Sequence, residues 1–522
     1  MNAQVTRTVD DIQTNSLLPL EWHLRWLLPD DLYAAAWVNP SRQTLMRVFE
    51  HLRTLQHILI DYVPRDVCDQ PPVPGYHRYR WQEGTLLFTD LAGFTPLLEA
   101  CSVEGLNGAE VLLQVLNSYF SGMIEIIGKS SGNLLEFTGD ALLVQFTTGD
   151  RQRDISQAIN TGLRMQRAMA AFQRIATPRG ELSLNMRVGL HTGKFVTADI
   201  GTPQRMAHVL LGRAVTIAKK AEGAGSIRQV ALTAAVRAQL GDRLPLRPTN
   251  NRHWLVVDNL SDEELGEYEI TVARRRSTSI FFDRSTAGLL KEIEAAIQRV
   301  EPLASYLPRS VLRLIIQTAS ERRIPPAFPT IAVAFVNLIG LPEAVDDALP
   351  EETNAVVECF SQAFSLINGI VELKDGIVQK VTYHSIGSEM LIHFGVLNPD
   401  PSDPRRAAEA TSMIREVVQS ISPPTVKGQP IRLTCRIGLT YGPVFAAEIG
   451  ERRGRREFNI LGDTVNTASR LMSQAGENEI WMNQAMQAAI AADFPTQALG
   501  PLSLKGKSQP QPVFALLDSA GK

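Results

Sequence analysis

Four short motifs occur twice in this chain of 522 residues, in the same order and at a nearly constant spacing. YLPR follows YVPR by 244 residues, Asn337 in FVNL follows Asp90 in FTDL by 247, and Ser388 in IGSEML follows Asp140 in TGDALL by 248. MRVGLHTG likewise returns as CRIGLTYG. A spacing this regular indicates an internal duplication, so the chain is constrained to fold as two similar domains in tandem.

Changes in composition divide the chain into four parts. Residues 1–79 hold apolar residues at helical spacing and end in the proline-rich stretch DQPPVPGYH, which predicts a short helical segment and a linker. The repeats predict a first domain at 80–275 and a second at 328–522. Between them, residues 276–327 contain a long run with helical periodicity and are expected to form a helical connector.

The first copy has a recognisable order of elements. Apolar residues recur at helical spacing from Val111 to Ile127, which predicts a helix with one broad buried face. The runs LLEFT and ALLVQF flank Gly139 and Asp140, a pattern typical of a tight hairpin. A second helical run and the strand-like MRVGLHTG follow. Strand, helix, hairpin, helix and strand is the order of a ferredoxin-like α/β (α+β) sheet with helices on one face.

The composition is that of a soluble globular protein, with 44% hydrophobic and 20% charged residues. A net charge of -3 gives no electrostatic basis for binding nucleic acid or an anionic membrane. The N-terminus is too polar for a signal peptide, and no uncharged apolar run approaches the ~20 residues that span a bilayer. The four cysteines lack ligand-like spacing, so we expect a cytoplasmic protein with reduced thiols and neither a nucleic-acid nor a membrane partner.

Two aspartates are the first candidates for chemistry. Asp90 follows a buried, strand-like run, and Asp140 lies at a hairpin tip, so the two carboxylates can converge. Taken singly, Asp90 could cap a helix and Asp140 could fill a turn. Two like charges held together favour a dication between them, and an oxygen-only pair without nearby Cys or His suits Mg²⁺, with Mn²⁺ as a substitute.

The segments FTDLAGFT and FTGDALL resemble the class III nucleotidyl cyclase domain that adenylyl and guanylyl cyclases share. The resemblance covers about 80–240 and 328–516. It implies that Asp90 and Asp140 hold two metal ions. By the same resemblance, one ion would acidify the ribose 3′-hydroxyl for attack on the α-phosphate, and the other would carry the triphosphate and the leaving pyrophosphate. The cyclase family is also built on the ferredoxin-like plan.

A second resemblance lies in FNILGDTVNTASRLM, which is similar to the family segment that binds ribose and the reacting phosphate. Asn466 and Arg470 lie four residues apart on an expected helix, so both project from one face. The resemblance implies that Asn466 orients the ribose and that Arg470 stabilises the charge on the α-phosphate. The first copy has Thr216 and Lys220 at these positions and keeps neither function.

The losses in the two copies are complementary. The first copy keeps both aspartates, whereas the second has Asn337 and Ser388 in their place and alone keeps the Asn/Arg pair. The resemblance therefore implies an intramolecular pseudo-heterodimer, in which the two domains face one another with one complete composite site and one degenerate site.

Further residues extend the expected nucleotide site. Lys505, in LSLKGK, matches a lysine that grips the terminal phosphates in family members. The backbone N–H groups of Phe94 and Thr95 follow Gly93 near an expected helix start and can donate to phosphate oxygens.

The positions that read the base depart from both family patterns. Adenylyl cyclases typically carry a lysine and then Asp or Thr, whereas guanylyl cyclases carry Glu and then Cys or Arg. This chain has His384 and Asn459. A neutral imidazole and an amide can serve either base, so ATP and GTP both stay open. The missing Glu, and the resemblance to soluble tandem adenylyl cyclases, favour ATP.

Glu136 and Lys219 of the first copy occupy positions where bicarbonate-responsive tandem cyclases carry lysine and arginine. Glutamate removes half of that anion pocket, which argues against activation by bicarbonate and suggests that the two side chains pair with each other. His191, in GLHTG, falls on an expected core strand, and we interpret it as structural.

The sequence thus predicts a cytoplasmic enzyme that converts ATP to 3′,5′-cyclic AMP and pyrophosphate at one composite site with two Mg²⁺ ions. A guanylyl cyclase and a catalytically silent nucleotide-binding regulator are the alternatives. Assembly beyond the intramolecular pairing stays open.

Overall fold

The computed structural model describes residues 17–517 except for 104, 178–179, 242–243, 250–251, 269–282, 284, 320–323, 384–385, 452–453 and 505–508. The N-terminal part is helical, and Ser41 caps its longest helix by accepting a hydrogen bond from the N–H of Thr44 at 3.3 Å. After a 3₁₀ turn at Leu18–Leu20, its helices are α1 (Glu21–Leu27), α2 (Asp30–Val38), α3 (Arg42–Tyr62) and α4 (Arg65–Asp69).

The first domain is a twisted sheet with helices packed on it. Its elements are β1 (Arg78–Ala92), α5 (Phe94–Ser102), α6 (Leu106–Lys129), β2 (Asn133–Thr138), β3 (Ala141–Phe146), α7 (Arg151–Ala168), β4 (Ile175–Thr177), β5 (Gly180–Leu182), β6 (Asn185–Thr202), β7 (Arg205–Leu211), α8 (Ala214–Ala224), β8 (Val230–Leu232), α9 (Ala234–Leu240), β9 (Leu246–Pro248) and β10 (Trp254–Val256). The strand order is β2-β3-β1-β6-β8-β10-β9, and β7 pairs with β6.

A helical connector leads to the second domain. The connector contains α10 (Thr286–Ala304) and α11 (Arg309–Gln317). The second domain contains β11 (Thr330–Ile339), α12 (Leu341–Ala344), α13 (Pro350–Leu373), β12 (Ile377–Tyr383), β13 (Ser388–Phe394), α14 (Asp403–Ser420), β14 (Thr425–Val426), β15 (Gln429–Pro430), β16 (Thr434–Pro443), β17 (Phe445–Gly450), β18 (Arg456–Leu461), α15 (Asp463–Gln474), β19 (Ile480–Asn483), α16 (Gln484–Ile490), β20 (Thr496–Leu502) and β21 (Gln511–Leu516). Its strand order, β12-β13-β11-β16-β19-β21-β20, repeats that of the first domain position by position.

Each domain extends a two-stranded arm into the core of the other. The first arm is the pairing of β7 with the second half of β6, and its Val196 and Ile200 share a core with Phe360 of α13. The second arm is the hairpin of β17 and β18, and its Phe445 packs with Phe120 of α6. Because each core is completed by the other domain, the expected pseudo-heterodimer of two ferredoxin-like α/β domains is confirmed.

The N-terminal helices and the connector form one helical bundle. Buried residues of α3, such as Leu52 and Leu55, share a core with Ile293 and Ile297 of α10. The same core continues into the second domain through Phe335 and its neighbours in the sheet. Two segments that are separate in sequence therefore pack as a single unit, which we call the helical bundle.

Two helices are long and apolar enough to cross a membrane by length and composition, at Asn107–Lys129 and Pro350–Leu373. They correspond to α6 and α13, which contribute Phe120 and Phe360 to the two domain cores described above.

Candidate active site

Asp90 lies near the end of β1, directly opposite Arg187 of β6. The Arg187 guanidinium forms an ion pair with the Asp90 carboxylate and a second one, at 2.8 Å, with the buried Glu222 of α8. The Asp90 carboxylate is partly exposed, and the positive charge of Arg187 balances its negative charge. Arg187 is not among the site residues predicted from the sequence. A signal for it exists, because the motif MRVGL returns as CRIGL with its arginine in place.

Asp140 occupies the turn between β2 and β3, where Gly139 adopts a positive φ of 71°. The hydroxyl of Thr89 accepts a hydrogen bond from the N–H of Leu142 at 3.0 Å, which ties this turn to the residue beside Asp90. Removal from water, and then the negative charge of Asp90, raise the pKa of Asp140 to about 7. The two carboxylates are thus close enough to repel one another.

A divalent cation fits this pair. It would relieve the repulsion that raises the pKa of Asp140, and the donors are carboxylate oxygens of the kind that Mg²⁺ prefers. Within the described ranges, no group of three or more His, Cys, Asp or Glu side chains is arranged to hold a metal ion. A metal at Asp90 and Asp140 would therefore need ligands from elsewhere, and phosphate oxygens of a nucleotide are suitable.

The start of α5 lies directly after this carboxylate site. Gly93 has a φ of 95°, and a side chain there would lie 2.4 Å from the carbonyl oxygen of Ser183, so only glycine fits. No side chain of the described residues caps α5, which leaves the N–H groups of Phe94 and Thr95 in its first turn available to an anion.

Asn466 and Arg470 lie on α15, as the sequence indicated, and both are partly exposed. In the described part of the chain, neither side chain has a hydrogen-bond or ion-pair partner. Gly462 immediately precedes α15, and a Cβ atom built on it would lie 3.9 Å from Leu98 of α5. The start of α15 therefore lies beside α5 across the domain interface.

Asn459 lies on β18 and is 1% exposed. Its Oδ1 accepts a hydrogen bond from the N–H of Ile460 at 3.0 Å, and its buried Nδ2 has no partner among the described residues. The amide therefore presents an unused donor. His384 and Lys505, the other expected nucleotide ligands, lie outside the described residues.

A cavity of about 400 Å³ borders a different face of α15. Asp463 and Thr467 line it on the helix side, and Leu504 and Val513 line it on the opposite side. Asn466 and Arg470 do not contribute to its wall.

In the second domain, a carboxylate occupies the region that corresponds to the Asp90 and Asp140 site. Glu343 of α12 accepts hydrogen bonds from the N–H groups of Gly340, at 2.9 Å, and Gly387, so it fills the place where an anion would meet these amides. Asn337, in the Asp90 position, is 1% exposed and donates to the carbonyl of Ile386 at 2.8 Å. In the first domain the residue that corresponds to Glu343 is Pro96, which has no carboxylate to accept hydrogen bonds from the backbone.

The start of α8, which corresponds to the start of α15, is also covered. Asp346 accepts a hydrogen bond from the N–H of Arg213 at 2.6 Å, and Asp347 binds the Arg213 guanidinium at 3.0 Å. Thr216, in the position of Asn466, is buried and hydrogen-bonded to the hydroxyl of Tyr383. These contacts occupy the groups that a nucleotide would use.

Glu136 faces the second domain rather than Lys219. Burial raises the pKa of Glu136 to about 8, and Lys380 opposes this shift. The ammonium group of Lys219 lies 5.6 Å from the centre of the Phe88 ring, and the described residues show no ion pair between Lys219 and Glu136. The suggested pairing is therefore wrong.

His191 lies on β6, opposite Leu86 of β1, and its Nδ1 is 3.1 Å from the hydroxyl of Thr233. Burial lowers the pKa of His191 to about 4, so the ring is neutral near pH 7.

The fold and this site define a class of protein, in which two similar α/β domains exchange arms and place two carboxylates on one domain and an Asn/Arg pair on the other. The family model for the adenylate and guanylate cyclase catalytic domain matches residues 77–254 and 325–517. The chain belongs to this family, the class III cyclases.

The chain is 22% identical over 449 residues to adenylate cyclase type 10 of Rattus norvegicus, covering 83% of this chain and 26% of that protein. It is 27% identical over 193 residues to adenylate cyclase 1 of Rhizobium meliloti (strain 1021), covering 36% of this chain and 28% of that protein. The chain thus spans about a quarter of the length of these relatives.

Among solved structures, a class III adenylyl cyclase-like ATP-binding protein from Pseudomonas aeruginosa matches with a TM-score of 0.52 and 15% identity. The match covers 85% of this chain and 93% of that one, so the shared fold extends through both domains.

Proposed function

We propose that the chain is an adenylyl cyclase that converts ATP to 3′,5′-cyclic AMP and pyrophosphate at the composite site. One observation carries the proposal. The helix α15, which carries Arg470, begins beside α5, the helix that follows Asp90, and Arg470 has no partner among the described residues, whereas the matching groups of the degenerate site are occupied by the protein itself. We also propose that the chain divides into four parts, with boundaries at 79/80, 275/276 and 327/328.

Asp90 and Asp140 would hold Mg²⁺, as two ions, or Mn²⁺ in its place. Bound there, the metal would acidify the ribose 3′-hydroxyl and neutralise charge on the triphosphate. Until it binds, the ion pair with Arg187 supplies a counter-charge for Asp90.

The remaining groups position the nucleotide. The N–H groups of Phe94 and Thr95 donate to phosphate oxygens, and Lys505 binds the terminal phosphates. Asn466 orients the ribose, and Arg470 meets the charge that develops on the α-phosphate during transfer. An arginine already paired with an acid would be less available for this role, so the lack of an acidic partner for Arg470 among the described residues supports it.

The relatives and the composition support the choice of ATP and a cytoplasmic location. Both sequence relatives reported above are named adenylate cyclases. The net charge of -3 supplies no attraction to nucleic acid or an anionic membrane.

A guanylyl cyclase is the second candidate, and Asn459 favours it. Its Oδ1 is used by Ile460, so the free Nδ2 offers a donor, which suits the O6 acceptor of guanine. The exocyclic amine of adenine would need the amide reversed, at the cost of the bond to Ile460. A protein that binds ATP without turnover is the third candidate, because the solved structure with the shared fold is described as an ATP-binding protein.

Product formation by the purified chain decides among the three. Each of ATP and GTP is incubated with Mg²⁺ and with Mn²⁺, and products are separated by chromatography and identified by mass. Cyclic AMP as the main product supports the proposal, and cyclic GTP supports the second candidate. Nucleotide binding without any cyclic product under either metal would leave the third.

Matched variants locate the site. Asp140→Asn is expected to abolish turnover because it removes a metal ligand, whereas Ser388→Ala, at the corresponding position of the second domain, is expected to retain it. Loss of turnover in Ser388→Ala but not in Asp140→Asn would mean that the two halves are assigned the wrong way round.

A further inference from the structure

The repeated motif Tyr-x-Pro-Arg takes no part in the site described above, yet both copies occupy equivalent places in the fold. Tyr62 ends α3 and Tyr306 follows α10, the two helices that pack together in the helical bundle. Pro64 and Pro308 then start the short helices α4 and α11. Each copy therefore marks the point where the helical bundle leads into a domain.

The carbonyl oxygen of each tyrosine binds an arginine from one of the two arms: Tyr306 contacts the arm of the first domain, and Tyr62 contacts the arm of the second domain. Arg205 opens β7 of the first arm and donates to the carbonyl oxygen of Tyr306 at 2.7 Å. Arg455 directly precedes β18 of the second arm and donates to the carbonyl oxygen of Tyr62. The offset of 250 residues that aligns Arg205 with Arg455 also aligns Gly212 with Gly462, so the two arginines are counterparts.

The same guanidinium groups continue to an edge strand of the domain that the arm enters. Arg455 donates to the carbonyl oxygen of Leu135 in β2 at 3.4 Å and lies 6.0 Å from the Phe137 ring centre. Arg205 donates to the carbonyl oxygens of Val378 and Gln379 in β12, at 3.1 and 3.3 Å. Each arginine thus bridges the helical bundle, its own arm and the hairpin of the other domain.

The two bridges differ in what lies beyond them. From Leu135, β2 runs into the turn that holds Asp140, and from Arg455, β18 runs through Asn459 into α15. Arg205 connects to β12, which leads to Ser388, and to β7, which leads to Thr216. One arginine therefore supports both halves of the intact site, and its counterpart supports the equivalent positions of the degenerate site.

We propose that Arg455 is a positioning residue that couples the end of α3 in the helical bundle to the Asp140 turn and to α15. It fixes the spacing between the two halves of the composite site, and it makes the helical bundle the element through which a change outside the catalytic domains would reach that site. This inference rests on the proposed function for its kinetic consequence, but the contacts themselves do not depend on it.

The test compares Arg455→Lys with Arg205→Lys. Lysine also carries a basic nitrogen, but a single ammonium lacks the planar fork that reaches Tyr62 and Leu135 together. We expect Arg455→Lys to lower kcat about 10-fold to 100-fold with a smaller change in KM, because misplacement by about 1 Å is costly to transfer. Arg205→Lys should lose comparable thermal stability and keep kcat within about 2-fold of the unchanged chain.

Amide hydrogen exchange supplies a readout that needs no turnover. In Arg455→Lys, exchange should accelerate in 133–141 and 457–470, with no change in α14 as a check that the fold persists. Arg205→Lys should leave 133–141 unchanged. Equal kinetic losses in the two variants, or unchanged exchange at 133–141 in Arg455→Lys, would overturn the proposal. Absence of turnover in the unchanged chain would refute the proposed function instead, and the exchange comparison would still decide the role of Arg455.

Discussion

At the scale of single residues, Asp140 shows how the site is held ready at a cost to stability. Its pKa of about 7 lies above the ordinary 3.8, so between about pH 4 and pH 7 the folded chain binds more protons than the unfolded one. The free energy of unfolding therefore falls as the pH rises through this window. Above it, the folded chain keeps two carboxylate charges beside each other.

Asp140→Asn should accordingly stabilise the metal-free protein. We expect the Tm measured by calorimetry without divalent ions to rise by a few degrees at pH 8 and by less at pH 5, because the ionised carboxylate is costliest above its raised pKa. Addition of Mg²⁺ should raise the Tm of the unchanged chain and have little effect on the variant. The same gain from Mg²⁺ in both proteins would place the metal elsewhere.

Arg470 and Lys220 form a matched pair for testing charge at the reacting phosphate. Arg470 has no partner in the described part of the chain, and its counterpart Lys220 is exposed on α8. Arg470→Ala should lower kcat about 1,000-fold, the scale seen when an arginine that stabilises phosphoryl transfer is removed. Lys220→Ala should leave kcat unchanged. Steady-state kinetics of the two variants checks this, and a normal kcat in Arg470→Ala would remove it from the site.

At the scale of elements, the sequence predicted those features that depend only on residues near one another in the chain. The ends of strands, the hairpin turn at Gly139 and the helix that carries Asn466 follow from periodicity and turn residues, and all three are present. The exchange of arms did not follow, because β6 and β17 read as ordinary strands and only packing shows which core they enter. The sequence did not predict the contacts of Glu343 for the same reason, since its partners Gly340 and Gly387 come together only in the folded chain.

The hydrogen bonds that Glu343 accepts from the N–H groups of Gly340 and Gly387 should contribute to the stability of the second domain. In Glu343→Gln the amide oxygen can replace one charged acceptor but not both, so we expect the free energy of unfolding to fall by about 1–2 kcal/mol. Urea denaturation measures the change. Glu351→Gln is the control, because Glu351 is exposed at the start of α13 and its substitution should cost less than about 0.5 kcal/mol. Equal losses in the two variants would show that the contacts of Glu343 with the two glycine amides are unimportant.

At the scale of the whole molecule, duplication within one chain allows the two sites to carry different residues. In a symmetric dimer, both sites carry the same residues, so a change that improves one changes the other. Here the second domain has Asn337 and Ser388 at the positions of the two aspartates, and Glu343 and Asp346 accept hydrogen bonds from backbone N–H groups at the corresponding place. The helical bundle packs the N-terminal helices against the connector and the second domain.

We therefore expect a single chain to supply both halves of one nucleotide site. We expect titration calorimetry with a non-hydrolysable ATP analogue and Mg²⁺ to give one site per chain, because the amides that would serve a second nucleotide are already bonded to Glu343 and Asp346. Specific activity should stay constant as the protein is diluted, since both halves of the site travel together. Two sites per chain would show that the internal anions give way to a nucleotide, and activity that falls on dilution would mean that the site forms between chains.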